Sequence, residues 1–156
     1  MLFDPASLAT FGGALALIGG LIGSSIGIGI AGSAGIATLS EEPGQFRNVI
    51  VLASLPMTQS FYGLIVLILI ITAVVPKMPV EGGAGFAVLG IGLIAAGAEC
   101  FSAIYQGNVC ASGISLLPKT KGRILTSAMM LAVFVELIGV LGLVFAIMSL
   151  TMLGLM

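Results

Sequence analysis

Between Asp4 and Glu41 the chain runs 36 residues without a charged side chain, and between Arg47 and Lys77 it runs 29. The next two stretches, Glu81 to Lys119 and Arg123 to Met156, hold one interior charge each, Glu99 and Glu136. A helix needs about 20 mostly apolar residues to span the hydrocarbon core of a bilayer, and all four stretches exceed that. A soluble domain needs a polar surface, and a chain 7% charged and 59% hydrophobic cannot make one. The same composition excludes a disordered chain, which would be poor in apolar residues. A net charge of −1 leaves no electrostatic footprint for nucleic acid, so no such partner is expected. The sequence reads as an all-α membrane protein whose solvent is the lipid bilayer.

Breaks between the stretches are marked by Pro and Gly: Ser40-Glu41-Glu42-Pro43-Gly44, Pro76-Lys77-Met78-Pro79 through Gly83, and Pro118-Lys119-Thr120-Lys121-Gly122. Four transmembrane helices are expected, near 8–39, 46–75, 84–117 and 123–153. They form two tandem hairpins, 1–78 and 79–156. A transmembrane barrel would alternate apolar and polar residues, and nothing here alternates. Four of the five basic residues, Arg47, Lys119, Lys121 and Arg123, fall in or beside the 1–2 and 3–4 loops. The positive-inside rule makes those loops cytoplasmic and puts both termini outside a cell membrane. No basic n-region precedes the first helix, so no cleaved signal peptide is expected.

The two hairpins resemble each other. At an offset of 78, Gly29, Gly35, Ile36 and Leu39 meet Gly107, Gly113, Ile114 and Leu117. At an offset of 79, Leu52, Ala53, Gly63 and Leu64 meet Leu131, Ala132, Gly142 and Leu143. Two crossings per unit make the repeats parallel, unlike the inverted repeats of many secondary transporters. Aligned in this way, Met57 stands opposite Glu136. The first helix also carries a small residue every fourth position, Gly19, Gly23, Gly27, Ala31 and Gly35, and the third helix continues the theme. Such stripes let backbones approach closely in lipid, as a tight ring of many copies requires. Gly27-Ile28-Gly29-Ile30-Ala31-Gly32 matches GxGxxG, but it has neither a preceding strand nor a following acid, so it is packing rather than a dinucleotide site. There is no GxxxxGK[ST], hence no P-loop for ATP. Cys100 and Cys110 lie ten apart on one helix, too far to bridge, and read as inert thiols.

A charge inside the bilayer is costly and marks function by default. Glu136 lies 13 residues beyond Arg123, Gln106 lies 13 before Lys119, and Thr58 and Gln59 lie 11 and 12 beyond Arg47. At 1.5 Å per residue all four sit roughly 17–20 Å from the same side. Leu55, Thr58, Gln59 and Tyr62 share one helical face. Pro56 removes the normal partner of the Leu52 carbonyl, and the kink can turn the Leu55 carbonyl toward a ligand. A carboxylate, two amide oxygens, a hydroxyl and a carbonyl form an oxygen-only set that suits Na⁺, on the logic that gives hard cations oxygen ligands. Without His, and with neither Cys at this depth, a transition-metal site is not expected. A proton would need only the carboxylate and a hydrogen-bond partner. The plain alternative is that these polar groups satisfy one another between helices.

Leu55-Pro56-Met57-Thr58-Gln59-Ser60-Phe61-Tyr62-Gly63, Tyr105-Gln106-Gly107 and Val135-Glu136 resemble the proteolipid rotor component of V-type and V/A-type ATPases, their K or c subunit. The resemblance covers essentially the whole chain. It implies a homo-oligomeric membrane ring in which Glu136 carries the transported ion. It further implies that Leu55 (carbonyl), Thr58, Gln59, Gln106 and Glu136 ligate Na⁺, while Tyr62 donates its hydroxyl to Glu136 and closes the site. The Thr-Gln pair distinguishes the Na⁺-pumping pattern, with H⁺ as the alternative coupling ion. Met57 departs from the Gly often found there. The implied partners are further ring copies, a stator membrane subunit with an arginine, and central-stalk subunits. Catalysis of ATP turnover belongs to other subunits. A stand-alone ion-coupled carrier is the rival reading, and it leaves the glycine stripe and the repeat unexplained.

Glu99 lies seven residues before Gln106, on nearly the same face and about 10 Å further out. The pattern of the family does not require an acid there. It is expected to be a protonated glutamic acid packed or hydrogen-bonded inside the ring, with a secondary proton or ion-path role as the alternative.

Overall fold

The computed structural model describes residues 4–156. The first three residues, part of the expected hairpin 1–78 and of its outward-facing terminus, lie outside the described residues. Four helices long and apolar enough to cross a membrane follow one another: α1 (Pro5–Glu41), α2 (Pro43–Lys77), α3 (Ala84–Ser115) and α4 (Leu125–Met152). No strand occurs among the described residues.

The helix ends differ from the expected ones for local reasons. α1 begins at Pro5 rather than near 8, because Asp4 caps it. The Asp4 carboxylate accepts the Ser7 backbone N–H at 3.1 Å and its hydroxyl at 3.2 Å. Pro5 holds the first helical position, where a missing N–H has no cost. α2 runs through Pro76 instead of stopping before it, since Pro76 falls within a closing 3₁₀ turn, Val75–Lys77. α3 stops at Ser115 rather than 117, and Leu117–Thr120 forms a separate helical turn. Lys121 (φ 51°) and Gly122 (φ 81°) then take the left-handed conformation. Their N–H groups return to the carbonyls of Pro118 and Leu117 at 3.2 and 3.0 Å. α4 therefore opens at Leu125, not at 123.

α1 and α3 lie side by side and parallel, in backbone contact along their length. A Cβ added at Gly85 would sit 2.6 Å from Pro5 Cα, and one at Gly23 2.6 Å from Cys100 Cα. Near the other end, Thr38 donates its hydroxyl to the Ile114 carbonyl at 3.1 Å. α2 runs antiparallel against α1, where a Cβ at Gly63 would stand 2.5 Å from the Ala16 carbonyl oxygen. α4 runs antiparallel against α3, where a Cβ at Gly142 would stand 2.6 Å from Ala98 Cβ. The α1–α3 pair is thus the spine, with α2 and α4 flanking it. In lipid there is no hydrophobic drive between helices, so this close approach is what stabilises the bundle through packing.

Two apolar clusters fill the interior. One, around Ala16, Val66, Ile70 and Ala146, lies toward the chain termini and the 2–3 loop. The other, around Ala31, Leu52, Ile114 and Ala132, lies toward the 1–2 and 3–4 loops. Of the six buried polar side chains, all but Thr38 (Ser24, Gln59, Glu99, Ser102 and Gln106) occupy sequence positions between the two clusters on their helices. These five therefore form a layer across the middle of the bundle.

Candidate ion-binding site

The site starts from a local defect in α2. Pro56 has no N–H, and the helix tightens to a 3₁₀ turn over Leu55–Met57. The Leu52 carbonyl, expected to be orphaned, instead accepts the Leu55 N–H. The Leu55 carbonyl accepts the Thr58 N–H and also the Thr58 hydroxyl, the latter at 3.3 Å. Leu55, Pro56 and Thr58 are thereby locked as one unit, with the hydroxyl within bonding distance of two acceptors. Its second acceptor is Gln59 Oε1, at 3.2 Å.

From Gln59 the polar contacts cross three helices. Gln59 Nε2 donates to Gln106 Oε1 on α3 at 2.8 Å and reaches Ser102 Oγ at 3.1 Å. Gln106 Nε2 donates to Glu136 Oε2 on α4 at 3.2 Å. Tyr62, one turn along α2 from Gln59, donates its hydroxyl to Glu136 Oε1 at 2.8 Å. Both glutamines are fully buried, while Leu55, Thr58, Tyr62 and Glu136 are partly exposed at the flank of the bundle. All six candidate residues, Leu55, Thr58, Gln59, Tyr62, Gln106 and Glu136, are therefore linked in one hydrogen-bonded chain.

Chemically, each Glu136 oxygen has a donor from this chain and retains a further lone pair. The amide oxygens of Gln59 and Gln106 likewise use one acceptor position each within the bundle. The group offers oxygen and no nitrogen lone pair or sulfur, which suits a hard monovalent cation or a proton. The carboxylate is held by two neutral donors and faces no basic side chain among the described residues, so a bound cation would be its charge partner.

Ser102 was not singled out from the sequence. It accepts from Gln59 and donates to the Val135 carbonyl at 2.9 Å, tying α2, α3 and α4 together one turn from Gln106. The available signal was its position four residues before Gln106, which puts both on one face. Glu99 continues that face but does not join the chain. It is fully buried, and neither of its oxygens has a hydrogen-bond partner among the described residues. The cysteines behave as expected from spacing: both are free, Cys110 buried and Cys100 partly so.

The model of the family described as the C subunit of ATP synthase matches this chain twice, over residues 11–70 and 89–149. An A-type ATP synthase subunit K from Methanocaldococcus jannaschii is 37% identical over 148 residues. That match takes in 94% of this chain and 63% of the relative, so the chain spans less than two-thirds of that protein's length. A V-type sodium ATPase subunit K from Enterococcus hirae is 37% identical over 123 residues, covering 79% of this chain and 77% of the relative. With a double match that covers most of its length and this likeness to two K subunits, the chain belongs to the ATP synthase C-subunit family.

Proposed function

We propose that this protein is the rotor-ring subunit of a V-type rotary ATPase and that it carries Na⁺ across the membrane on Glu136. The observation that carries the proposal is the hydrogen-bonded chain from Thr58 through Gln59 and Gln106 to Glu136. It assembles an oxygen-only group around a single carboxylate, with Tyr62 bonded to that carboxylate from the side. Leu55 (carbonyl), Thr58, Gln59, Gln106 and Glu136 would ligate the ion, and Tyr62 would hold Glu136 in the closed position. Support for Na⁺ also comes from the relative in Enterococcus hirae, a subunit of a sodium ATPase.

The physical logic is charge cancellation. An ionised carboxylate facing lipid is expensive, and Na⁺ bound to Glu136 reduces that cost while the site turns through the bilayer. A stator subunit would open the site to water, and an arginine on it would displace the ion. This chain has no basic residue near Glu136 to play that part. The 1–2 and 3–4 connections, beside which Arg47, Lys119, Lys121 and Arg123 fall, would lie on the cytoplasmic side, against the central stalk. In this reading the chain is two tandem hairpins, 1–78 and 79–156, in accord with the twofold match to the family model. One acid per four helices gives one ion per ring copy per turn.

The test is carbodiimide labelling of Glu136 in the purified ring at neutral pH, with and without Na⁺. Millimolar Na⁺ should protect Glu136. Labelling that ignores Na⁺ while responding to pH would replace Na⁺ with H⁺ as the coupling ion. No labelling at Glu136 in an assembled ring would remove the proposed site.

A further inference from the structure

Glu99 is the one buried carboxyl among the described residues that the proposed ion site leaves unused. It is fully enclosed within a single copy of the chain, and both oxygens lack a hydrogen-bond partner there. It is aimed at a gap in α4 where two glycines replace side chains. A Cβ added at Gly139 would sit 3.0 Å from Glu99 Oε2, and one at Gly142 would sit 3.5 Å from Glu99 Oε1. The same added Cβ at Gly139 would lie 3.2 Å from Ser102 Oγ, so the acid and the serine border one small space. Any larger residue at 139 would collide with both and with Gln59 Cγ, which lies 3.1 Å from the same point.

The surroundings decide the form of the acid. α4 presents Gly139 and Gly142, and α3 presents Ala95 and Ser102. α1 carries no ionisable side chain between Asp4 and Glu41. The ionisable groups on the packed faces of α2 and α4 are Tyr62 and Glu136, which bond each other. No cationic side chain lies on any of these faces. An ionised, unpaired carboxylate in such a place has a prohibitive desolvation cost, and the neutral acid does not. As the neutral acid, Glu99 has an O–H to donate. Ser102 Oγ has spent its proton on the Val135 carbonyl and accepts one N–H from Gln59, which leaves one lone pair free beside the gap.

We propose that the Gly139–Gly142 gap is a proton-binding site separate from Glu136, one per ring copy. There Glu99 holds a proton that is not transported and donates it toward Ser102 Oγ. Glu99 is then a positioning residue. It holds Ser102, which holds Gln59 and the Val135 carbonyl, and so sets the spacing of α2, α3 and α4 around Glu136. This second role rests on the reading of Glu136 as the ion site, whereas the proton on Glu99 does not.

Infrared spectroscopy of the purified ring separates the two. In a Glu136→Gln ring, Glu99 is the only carboxyl left within the membrane. That ring should show a protonated-carboxyl C=O band at neutral pH that is insensitive to Na⁺ and absent from the Glu99→Gln/Glu136→Gln double variant. Absence of the band in Glu136→Gln overturns the proton site, whichever ion Glu136 carries. The positioning role is read in rings that keep Glu136, as the Na⁺ concentration that protects it from carbodiimide. Glu99→Gln keeps a donor and should stay within about twofold of wild type, while Glu99→Leu should need about tenfold more Na⁺, the effect of losing one hydrogen bond. Equal protection in the Leu variant, or a tenfold loss in an assembled Gln variant, overturns the positioning role. If the Leu ring does not assemble, the Gln ring and the infrared band carry the test.

Discussion

At the scale of single residues, the site is a set of hydrogen bonds whose removal has graded consequences. Tyr62→Phe deletes the hydroxyl that donates to Glu136 Oε1 at 2.8 Å. A bond to a charged acceptor contributes about 1.5–3 kcal/mol. Tyr62→Phe should therefore raise the Na⁺ concentration that protects Glu136 by roughly tenfold or more, with ring assembly intact; an unchanged protection curve would assign Tyr62 no part in holding the ion. Ser102→Ala should act differently. It leaves the Val135 carbonyl without its side-chain donor and removes one acceptor of Gln59. Interhelical hydrogen bonds in bilayers contribute about 0.6–2 kcal/mol, and the loss should show as a lower midpoint in thermal disassembly of the ring. Thr58, Gln59, Gln106 and Glu136 were legible because polar groups are rare in these helices and their distances from the loops matched, and Tyr62 because it shares a helical face with Thr58 and Gln59. Ser102 was not, because a serine in a transmembrane helix can satisfy itself on its own backbone. Ser33 and Ser112 do so at 2.8 and 3.0 Å, and nothing local distinguishes Ser102 from them.

At the scale of elements, two features set where the polar groups stand. The first is the 3₁₀ turn at Pro56. Pro56→Ala would restore an N–H able to donate to the Leu52 carbonyl and would favour a continuous α-helix. The helix should gain stability, yet Thr58 and Gln59 would rotate relative to α3. The expected outcome is an assembled ring with weaker Na⁺ protection of Glu136, and stronger protection would contradict the role given to the kink. The second feature is close helix approach. A side chain at Gly63 meets the Ala16 carbonyl oxygen at 2.5 Å, and one at Gly20 meets that of Gln59 at the same distance. Backbone cannot yield as a flexible side chain does, and overpacking costs about 1–3 kcal/mol or more. Gly63→Val should therefore prevent accumulation of folded ring, seen as loss of the oligomer peak on size exclusion in detergent. The spacing of the stripe in α1 made such packing legible. Which helix lies against it did not follow from spacing, since a stripe of glycines fits any neighbour.

At the scale of the whole molecule, a single copy of the chain presents an apolar outer surface that lipid or further copies would cover. Large apolar side chains such as Phe101, Phe134, Leu141 and Met152 are more than half exposed. Glu136 lies at the flank rather than in the centre, partly open on a face that a neighbouring copy would cover in a ring. Native mass spectrometry from mild detergent should give one large homo-oligomer of a single stoichiometry. A monomer or dimer as the stable species would favour the carrier reading and remove the ring. The double match to the family model also has a spatial counterpart. α1 and α3 pair in parallel, so the first helix of each hairpin lies beside its equivalent, and Gly107 packs on Gly27.

By itself the sequence determined the number of apolar helices and the class of fold, and it set Glu99 and Glu136 apart from the other charges. Each follows from a transfer cost that depends on the residue and not on its neighbours: uncharged runs of about 30 residues partition into lipid, and a lone acid within one needs a purpose. Only the tertiary structure decided which groups face that acid. Glu99 and Glu136 look alike in sequence, both single acids in apolar helices. Helix packing turned Glu136 toward Gln106 and Tyr62, and it turned Glu99 into a glycine gap with no partner. The difference rests on how α4 meets α3 and α2, a property of facing surfaces that no single helix contains.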